Sequence, residues 1–391
     1  MPECVRFLLT SSRLPFALEA IRKLGRSGHT VYASDTFRSA PGSHSKHVTE
    51  AFVTAAPARN PFGFIRDLEA IVSRVAIDLV LPAFEEVFFI ARHRARIEAH
   101  ARVFAPSFAT LDRLHDKLRF HALARDIGLR TLPVLAARDR AELGRAIRAY
   151  PRFFARPAYT RGGVTLFTNA GPLAGDTTLE EHTPTAARPW VVSPFVEGTD
   201  VCSYSVVHRG RVTGHATYCH PLTLEHAGGI VFESIVSDET LAIARKVAEA
   251  TGYDGQLSLD FLRTDRGLYV IECNPRPCAG LMVMPDAMFD AAIRDASPER
   301  TLVAPAGTRR KLSLALIRNA LVHRREAAEN LTALLRRDPD IYADPRDLRP
   351  LLWQLVAYSR VLRYRLRHRR VRRTDLMQGY FDDICWDGEA A

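Results

Sequence analysis

Paired cysteines are missing from this chain. Its six cysteines, Cys4, Cys202, Cys219, Cys273, Cys278 and Cys385, fall without a CxxC pair or regular spacing. That excludes a zinc ribbon and a disulfide framework, and leaves free thiols. Also absent is any apolar run of the roughly 18 residues that a membrane span needs, and Met1 to Thr10 shows no basic region leading into a long apolar core. A cytoplasmic location is therefore expected. There is no GxGxxG, no Walker A sequence and no GxSxG, so a dinucleotide fingerprint, P-loop phosphotransfer and serine hydrolysis find no support.

What is present is ordinary globular composition, with 47% hydrophobic and 25% charged residues, which excludes disorder for most of the chain. The 391 residues suit two or three domains. Charge is uneven. From Ala306 onward 18 Arg or Lys face 11 Asp or Glu, a net +7, which leaves only +3 of the total +10 for everything before.

The opening reads as an α/β unit. Val5 to Leu9 is an apolar strand, Leu14, Ala17, Leu18, Ile21 and Leu24 recur at helical spacing, Gly28 stops the helix, and Thr30 to Ala33 is a second strand. Asp78 to Pro82 and Val103 to Ala105 repeat the pattern around a helix that follows Glu85 and Glu86. Strands alternating with helices imply a parallel sheet. A helix is expected over Thr110 to Leu129. Beyond Pro133 the runs Phe153 to Pro157, Val164 to Thr168 and Val191 to Pro194 read as short strands, and Val201 to His208 and Val212 to Tyr218 flank the hairpin signal Arg209-Gly210. Ser237 caps a helix that buries Leu241, Ala244, Val247 and Ala248 and ends at Gly252.

The most informative stretch is Gln256 to Leu262, a turn at Asp265-Arg266-Gly267, and Leu268 to Arg276. A three-residue loop with Gly267 at its left-handed position pairs Thr264 with Leu268 and sets Asp260 opposite Glu272. Opposed side chains share a face with β-carbons about 5 Å apart, and Asn274, two residues on, joins that face. Two carboxylates and an amide oxygen so placed suit Mg²⁺ or Mn²⁺, although alternation on a solvent face would produce the same spacing.

Ile271-Glu272-Cys273-Asn274-Pro275-Arg276, with Asp260 upstream, resembles the metal-binding strand of the ATP-grasp superfamily, and further landmarks follow in order across about residues 1 to 305. The resemblance implies an α/β protein with a small parallel domain at 1–105, an ATP-grasp domain of two α+β subdomains at 106–305 and a mostly helical, basic C-terminal region at 306–391. It implies ATP and Mg²⁺ (or Mn²⁺) as cofactors, with Asp260, Glu272 and Asn274 on the metal. Lys117 and Arg156 then contact phosphates, and Gly162-Gly163 form the flap over them. Phe195 and Val196 line the adenine slot, Asp200 accepts the ribose hydroxyls, and Arg276 serves the transferring or acyl phosphate. Arg156 departs from the lysine usual in the family; it keeps the charge but bonds differently. The implied reaction activates a carboxylate as an acyl phosphate and passes it to an amine, releasing ADP and phosphate. Thiol-forming or carboxylating chemistry, and a regulatory nucleotide-binding protein with a weakened site, are the alternatives. Small-molecule acids and amines are the implied substrates.

His220, Glu225 and His226 read as a loop that approaches the acceptor site. In the tail, Arg360, Arg363, Arg365, Arg367, Arg369, Arg370, Arg372 and Arg373 lie together without an acidic neighbour. Arg363, Arg367 and Arg370 share a helical face, and Trp353, Val356 and Leu366 are expected to pack inward. Such a region is either a solvated face or a docking patch for an acidic partner: a carrier protein, an anionic substrate or, least favoured, a nucleic acid.

Overall fold

A computed structural model describes residues 4–161, 165–224, 228–295, 299–367 and 380–388. The first unit is a five-stranded parallel sheet in the order β3-β2-β1-β4-β5, formed by β1 (Arg6–Leu9), β2 (Thr30–Asp35), β3 (Val48–Val53), β4 (Leu79–Leu81) and β5 (Arg102–Val103). The apolar runs form strands because both faces are covered. Phe7, Leu9, Val31 and Ala33 pack with helix Pro15–Arg26 on one side, while Leu8, Val80 and Val103 pack with helices Pro61–Arg74 and Glu86–Arg92 on the other. Strand order reverses between β1 and β4, and in such sheets the crevice beyond the strand ends at that point is where ligands bind. Here the crevice holds Thr10, Ser11 and the Pro82–Glu86 turn. The Glu86 carboxylate accepts from Thr10 Oγ1 and from the Ala83 and Phe84 amides, at 2.8 and 3.1 Å for the latter two.

Next comes a four-stranded antiparallel sheet, β6-β9-β7-β8, built from β6 (Leu135–Ala137), β7 (Phe153–Pro157), β8 (Phe167–Thr168) and β9 (Trp190–Pro194), with helix Arg140–Arg148 packed on its own small core. The largest sheet has seven strands. Its main path is β14-β13-β10-β11-β12-β16, from β10 (Thr199–His208), β11 (Arg211–Leu224), β12 (Gly228–Ile235), β13 (Gly255–Thr264), β14 (Gly267–Asn274) and β16 (Arg309–Lys311), and β15 (Leu302–Val303) pairs with β11. Arg209 and Gly210 both take positive φ, 48° and 83°, which turns β10 into β11 with the twist a tight hairpin needs. Helix Asp238–Thr251 covers one face; the Ser237 hydroxyl accepts from Thr240 N at 3.3 Å, and Gly252 ends it in the left-handed region at φ 57°. The other face shares a core with the parallel sheet through Tyr204, Val206, Ala216 and Tyr218.

Several local expectations change. The helix expected over 110–129 is two, Phe108–His115 and Lys117–Asp126, because Asp116 leaves the helical conformation and its carboxylate accepts from Leu118 N and Arg119 N. β11 runs on to Leu224, so His220 lies in a strand between Tyr218 and Phe232 rather than in a loop, and burial lowers its pKa to about 4; Glu225 and His226 lie outside the described residues. Helix Arg349–Arg367 packs Ala357 inward and stacks Trp353 on His44, with centroids 3.8 Å apart. Val356 and Leu366 instead face solvent at 48% and 59% exposure, since the face that meets the protein runs through Gln354 and Ala357. Arg360 lies over the Phe37 ring at 4.1 Å and Arg363 donates to Ser359 Oγ at 2.9 Å. The side chains of Arg365 and Arg367, and all of Arg369, Arg370, Arg372 and Arg373, lie outside the described residues. No helix among the described residues is long and apolar enough to cross a membrane.

Long-range ion pairs tie the C-terminal region to the first helix. Arg22 is fully buried, and its Nε donates to Asp347 Oδ2 at 2.9 Å and its Nη2 to the Asp347 carbonyl at 2.9 Å. Removing one member of a buried pair strands the other and costs roughly 3–5 kcal/mol. Arg22→Met is therefore expected to lower unfolding free energy by about 3 kcal/mol in urea titrations; a loss under about 1 kcal/mol would show that this pair does not hold the two regions together.

Candidate functional site

The site grows from the β13–β14 hairpin. Its turn is tighter than the spacing implies, because Thr264 pairs with Gly267 rather than Leu268, which leaves a two-residue loop. A bulge between Asp260 and Phe261 then restores the count. Phe261 pairs with Val270, Ile271 is the extra residue, and Asp260 again faces Glu272. The bulge also takes the Ile271 carbonyl out of the ladder, where it accepts from Arg156 Nη2 at 3.3 Å and meets His121 Nε2 at 3.2 Å. Leu259, Phe261, Val270 and Cys273 fill the core on the opposite face. That burial fixes which side Asp260 and Glu272 occupy, since slipping one residue would bury both carboxylates among them.

Asn274 Nδ2 donates to Asp260 Oδ2 at 3.0 Å and to Glu272 Oε1 at 3.1 Å, while Asn274 Oδ1 accepts from Arg276 Nη2 at 3.1 Å. On the other side of Glu272, Arg156 Nη1 donates to Oε2 at 2.6 Å and Lys117 Nζ stands 3.6 Å away. Burial lifts the Asp260 carboxyl well above the ordinary range, and the charge of Glu272 adds to the lift. Burial would lift Glu272 as well, but Arg156 and then Lys117 outweigh it and hold it well below. The two carboxyls are thus pushed in opposite directions, Asp260 up and Glu272 down. Burial pushes the Lys117 ammonium down to about 8 against the pull of Glu272, and Lys117 Nζ donates to the Thr160 carbonyl at 2.7 Å.

The structure brings Lys117, Arg156, Asp260, Glu272, Asn274 and Arg276 into one cluster drawn from helix 117–126, β7, β13, β14 and the bend just after β14. Asp200 lies on β10 on the same face, two residues before Cys202, the register partner of Asp260; burial and Glu272 raise its pKa. Phe195 and Val196 sit in the link between β9 and β10, where the chain passes from the small sheet to the large one. Phe195 N already donates to the Arg152 carbonyl at 2.9 Å, and its ring packs under the Arg152 guanidinium at 4.9 Å. Gly162 and Gly163 lie outside the described residues.

Sequence reasoning treated Glu85 only as a helix start. The structure buries it completely beside Arg161 (2.9 Å), Arg276 (3.7 Å) and His115 (3.9 Å), and Phe84 lies under the Arg276 guanidinium at 4.4 Å. Burial would raise the Glu85 carboxyl, but the surrounding charges, Arg161 foremost, lower it. The overlooked signal was its position: an acidic pair directly after a parallel strand, at the end where such sheets bind ligands.

No family model matches the chain. The arginine-specific carbamoyl phosphate synthase large chain of Halalkalibacterium halodurans is 26% identical over 193 residues, which is 46% of this chain and only 18% of that relative's length. The solved structure of N5-carboxyaminoimidazole synthetase from Staphylococcus aureus complexed with ADP superposes with a TM-score of 0.60 at 12% identity, over 84% of this chain and 86% of that one. Phosphoribosylamine–glycine ligase from Thermotoga maritima gives a TM-score of 0.59 at 15% identity, over 78% of each chain. The chain thus shares the overall fold of these two solved proteins.

Proposed function

We propose that this chain is an ATP-dependent ligase that activates a carboxylate as an acyl phosphate and transfers it to an amine, releasing ADP and phosphate. The observation that carries the proposal is the group of half-buried Asp260 with buried Glu272 and Asn274, on which Lys117 and Arg156 converge at Glu272. In this reading residues 1–105 help hold the acceptor, 106–305 bind nucleotide, and 306–391 form a helical extension. The names of the similar proteins support both a carbon–nitrogen ligase and a carboxylating enzyme. Bicarbonate dependence separates the two.

Two carboxylates and a carboxamide are hard oxygen donors that suit Mg²⁺ or Mn²⁺ and leave positions for water and phosphate oxygens, so the residues present fit such an ion. Bound there, it would neutralise charge on the transferring phosphoryl group. The chain's own groups do the rest. Arg156 and Lys117 offset the charge of Glu272. Asn274 presents its amide nitrogen to both carboxylates; a half-turn of that amide would present oxygen instead and release Arg276 Nη2 to an incoming anion. Arg276, stacked on Phe84, then offers a fork-shaped donor to a phosphate or acyl phosphate. Phe195 and Val196 border the adenine slot, Asp200 meets the ribose, and Gly162-Gly163 close over the phosphates.

Asp260→Asn, Glu272→Gln and Asn274→Ala are each expected to lower Mg²⁺-dependent ATP turnover at least about a hundredfold while thermal unfolding stays cooperative; near wild-type turnover in Glu272→Gln would sink the assignment. Arg156→Lys should keep most ATP binding, because the position needs a cation, whereas Arg156→Ala should weaken it about tenfold or more by calorimetry. Equal affinity for the alanine variant and wild type would remove Arg156 from the phosphate site. Chromatography of the spent nucleotide is expected to show ADP and phosphate, and AMP with pyrophosphate would instead mean adenylation.

A further inference from the structure

Helix Arg349–Arg367 is amphipathic in the reverse sense to one that only covers a core. Its side against the protein carries buried Gln354, with Ala357 and Val361 packed on Phe37, Ala40 and Tyr380. The ground beneath is fixed by buried Arg13, which donates Nε to Asp35 Oδ1 at 2.9 Å and Nη1 to Asp383 Oδ1 at 2.6 Å and the Tyr380 carbonyl at 2.7 Å. Trp353, stacked on His44, pins the helix near its start. The outer side carries leucine. Leu348, just before the helix, and Leu352, Leu355, Leu362 and Leu366 are each 52% to 63% exposed. They follow one another at steps of four, three, seven and four residues, so a helix of 3.6 residues per turn sets them in one stripe. Ser359 fills the seven-residue step, and its hydroxyl already accepts from Arg363 Nη2 at 2.9 Å. Single exposed leucines are ordinary on a surface, whereas a continuous row of them marks a binding face.

The charge of the helix says what meets that face. Arg349, Arg360, Arg363, Arg365 and Arg367 are in it, and no acidic residue is. Arg349, Arg360 and Arg363 are exposed and fall on one flank of the stripe. A second copy of the helix would set arginine against arginine, with no carboxylate in the helix to pair with either. An anionic lipid surface satisfies both features at once. Its acyl boundary takes the leucines and its headgroups take the guanidinium groups, which the long arginine stems carry from one layer to the other. It also needs no matching groove, only an apolar ridge that faces outward.

We propose that helix Arg349–Arg367 docks this protein on an anionic membrane surface. The helix lies in the interface, with Leu352, Leu355, Leu362 and Leu366 at the acyl boundary and Arg349, Arg360 and Arg363 among the headgroups. It rests on the bilayer and does not cross it. The inference is independent of the reaction proposed for the site around Glu272.

The test is cosedimentation of the full chain with phosphatidylcholine vesicles, with and without phosphatidylserine. Wild type is expected to bind the phosphatidylserine vesicles about tenfold or more tightly than the neutral ones, and to leave them as salt is raised. The pair Leu355→Ser with Leu362→Ser is expected to unfold like wild type, because both positions are exposed, and to bind phosphatidylserine vesicles about tenfold or more weakly. The pair Arg349→Gln with Arg363→Gln is expected to lose about tenfold on the same vesicles and little on neutral ones. No binding of wild type to phosphatidylserine vesicles overturns the proposal. So does full binding by the leucine pair, which would reduce the contact to charge alone. Should that pair not fold, Leu366→Ser replaces it, with a several-fold loss expected and no loss overturning the proposal. Sedimentation velocity without lipid covers a second copy: a dimer that the leucine pair breaks overturns the membrane role and gives the face to self-association. Wild type that ignores the vesicles and binds a purified acidic carrier protein through the same leucines overturns it in favour of a protein partner.

Discussion

Everything at this site follows from the cost of burying Glu272. A lone carboxylate out of water is expensive enough that it would take a proton instead. Arg156 and then Lys117 offset that cost and hold the Glu272 carboxyl well below the ordinary range. Their positions draw the rest of the architecture with them. Arg156 comes from β7 of the small sheet, Lys117 from the first turn of a helix that packs against β14, and Glu272 from the edge strand of the large sheet. Arg156 and Glu272 thus link the small sheet to the large one.

The sequence made the hairpin legible because β structure has a two-residue period and its core face is unambiguous. Leu257, Leu259 and Phe261 could only point one way, so Asp260 had to point the other. The same reasoning misjudged the turn by one residue and was corrected by a bulge at Ile271 that no alternation pattern reveals. Ser237 and Gly252 were readable for a similar local reason, as cap chemistry acts over three or four residues. Asp116 shows the converse: capping inside a long helical pattern splits it in two.

Long-range features stayed hidden. Nothing near Glu85 announces that Arg161, His115, Arg276 and Trp386 will surround it, because those partners come from four distant parts of the chain. His220 looked like a loop residue since Gly228-Gly229 reads as a turn, yet β11 and β12 continue past it as a ladder with shifted register. The inward face assigned to Val356 and Leu366 failed because the arginine-rich helix meets the protein through a narrow stripe and leaves a broad apolar one outside. Periodicity shows that a helix has an apolar side, and not whether anything lies against it.

The buried knot of Arg13 with Asp35 and Asp383 joins positions 370 residues apart at its farthest. During synthesis Arg13 and Asp35 are made before the later strands of the three sheets, and Asp383 after all of them. The sheets can assemble first around an arginine that holds half its final partners. Completion of this knot therefore waits until all three sheets have been made, so the order of synthesis separates formation of the sheets from the moment at which they are tied to residues 380–388.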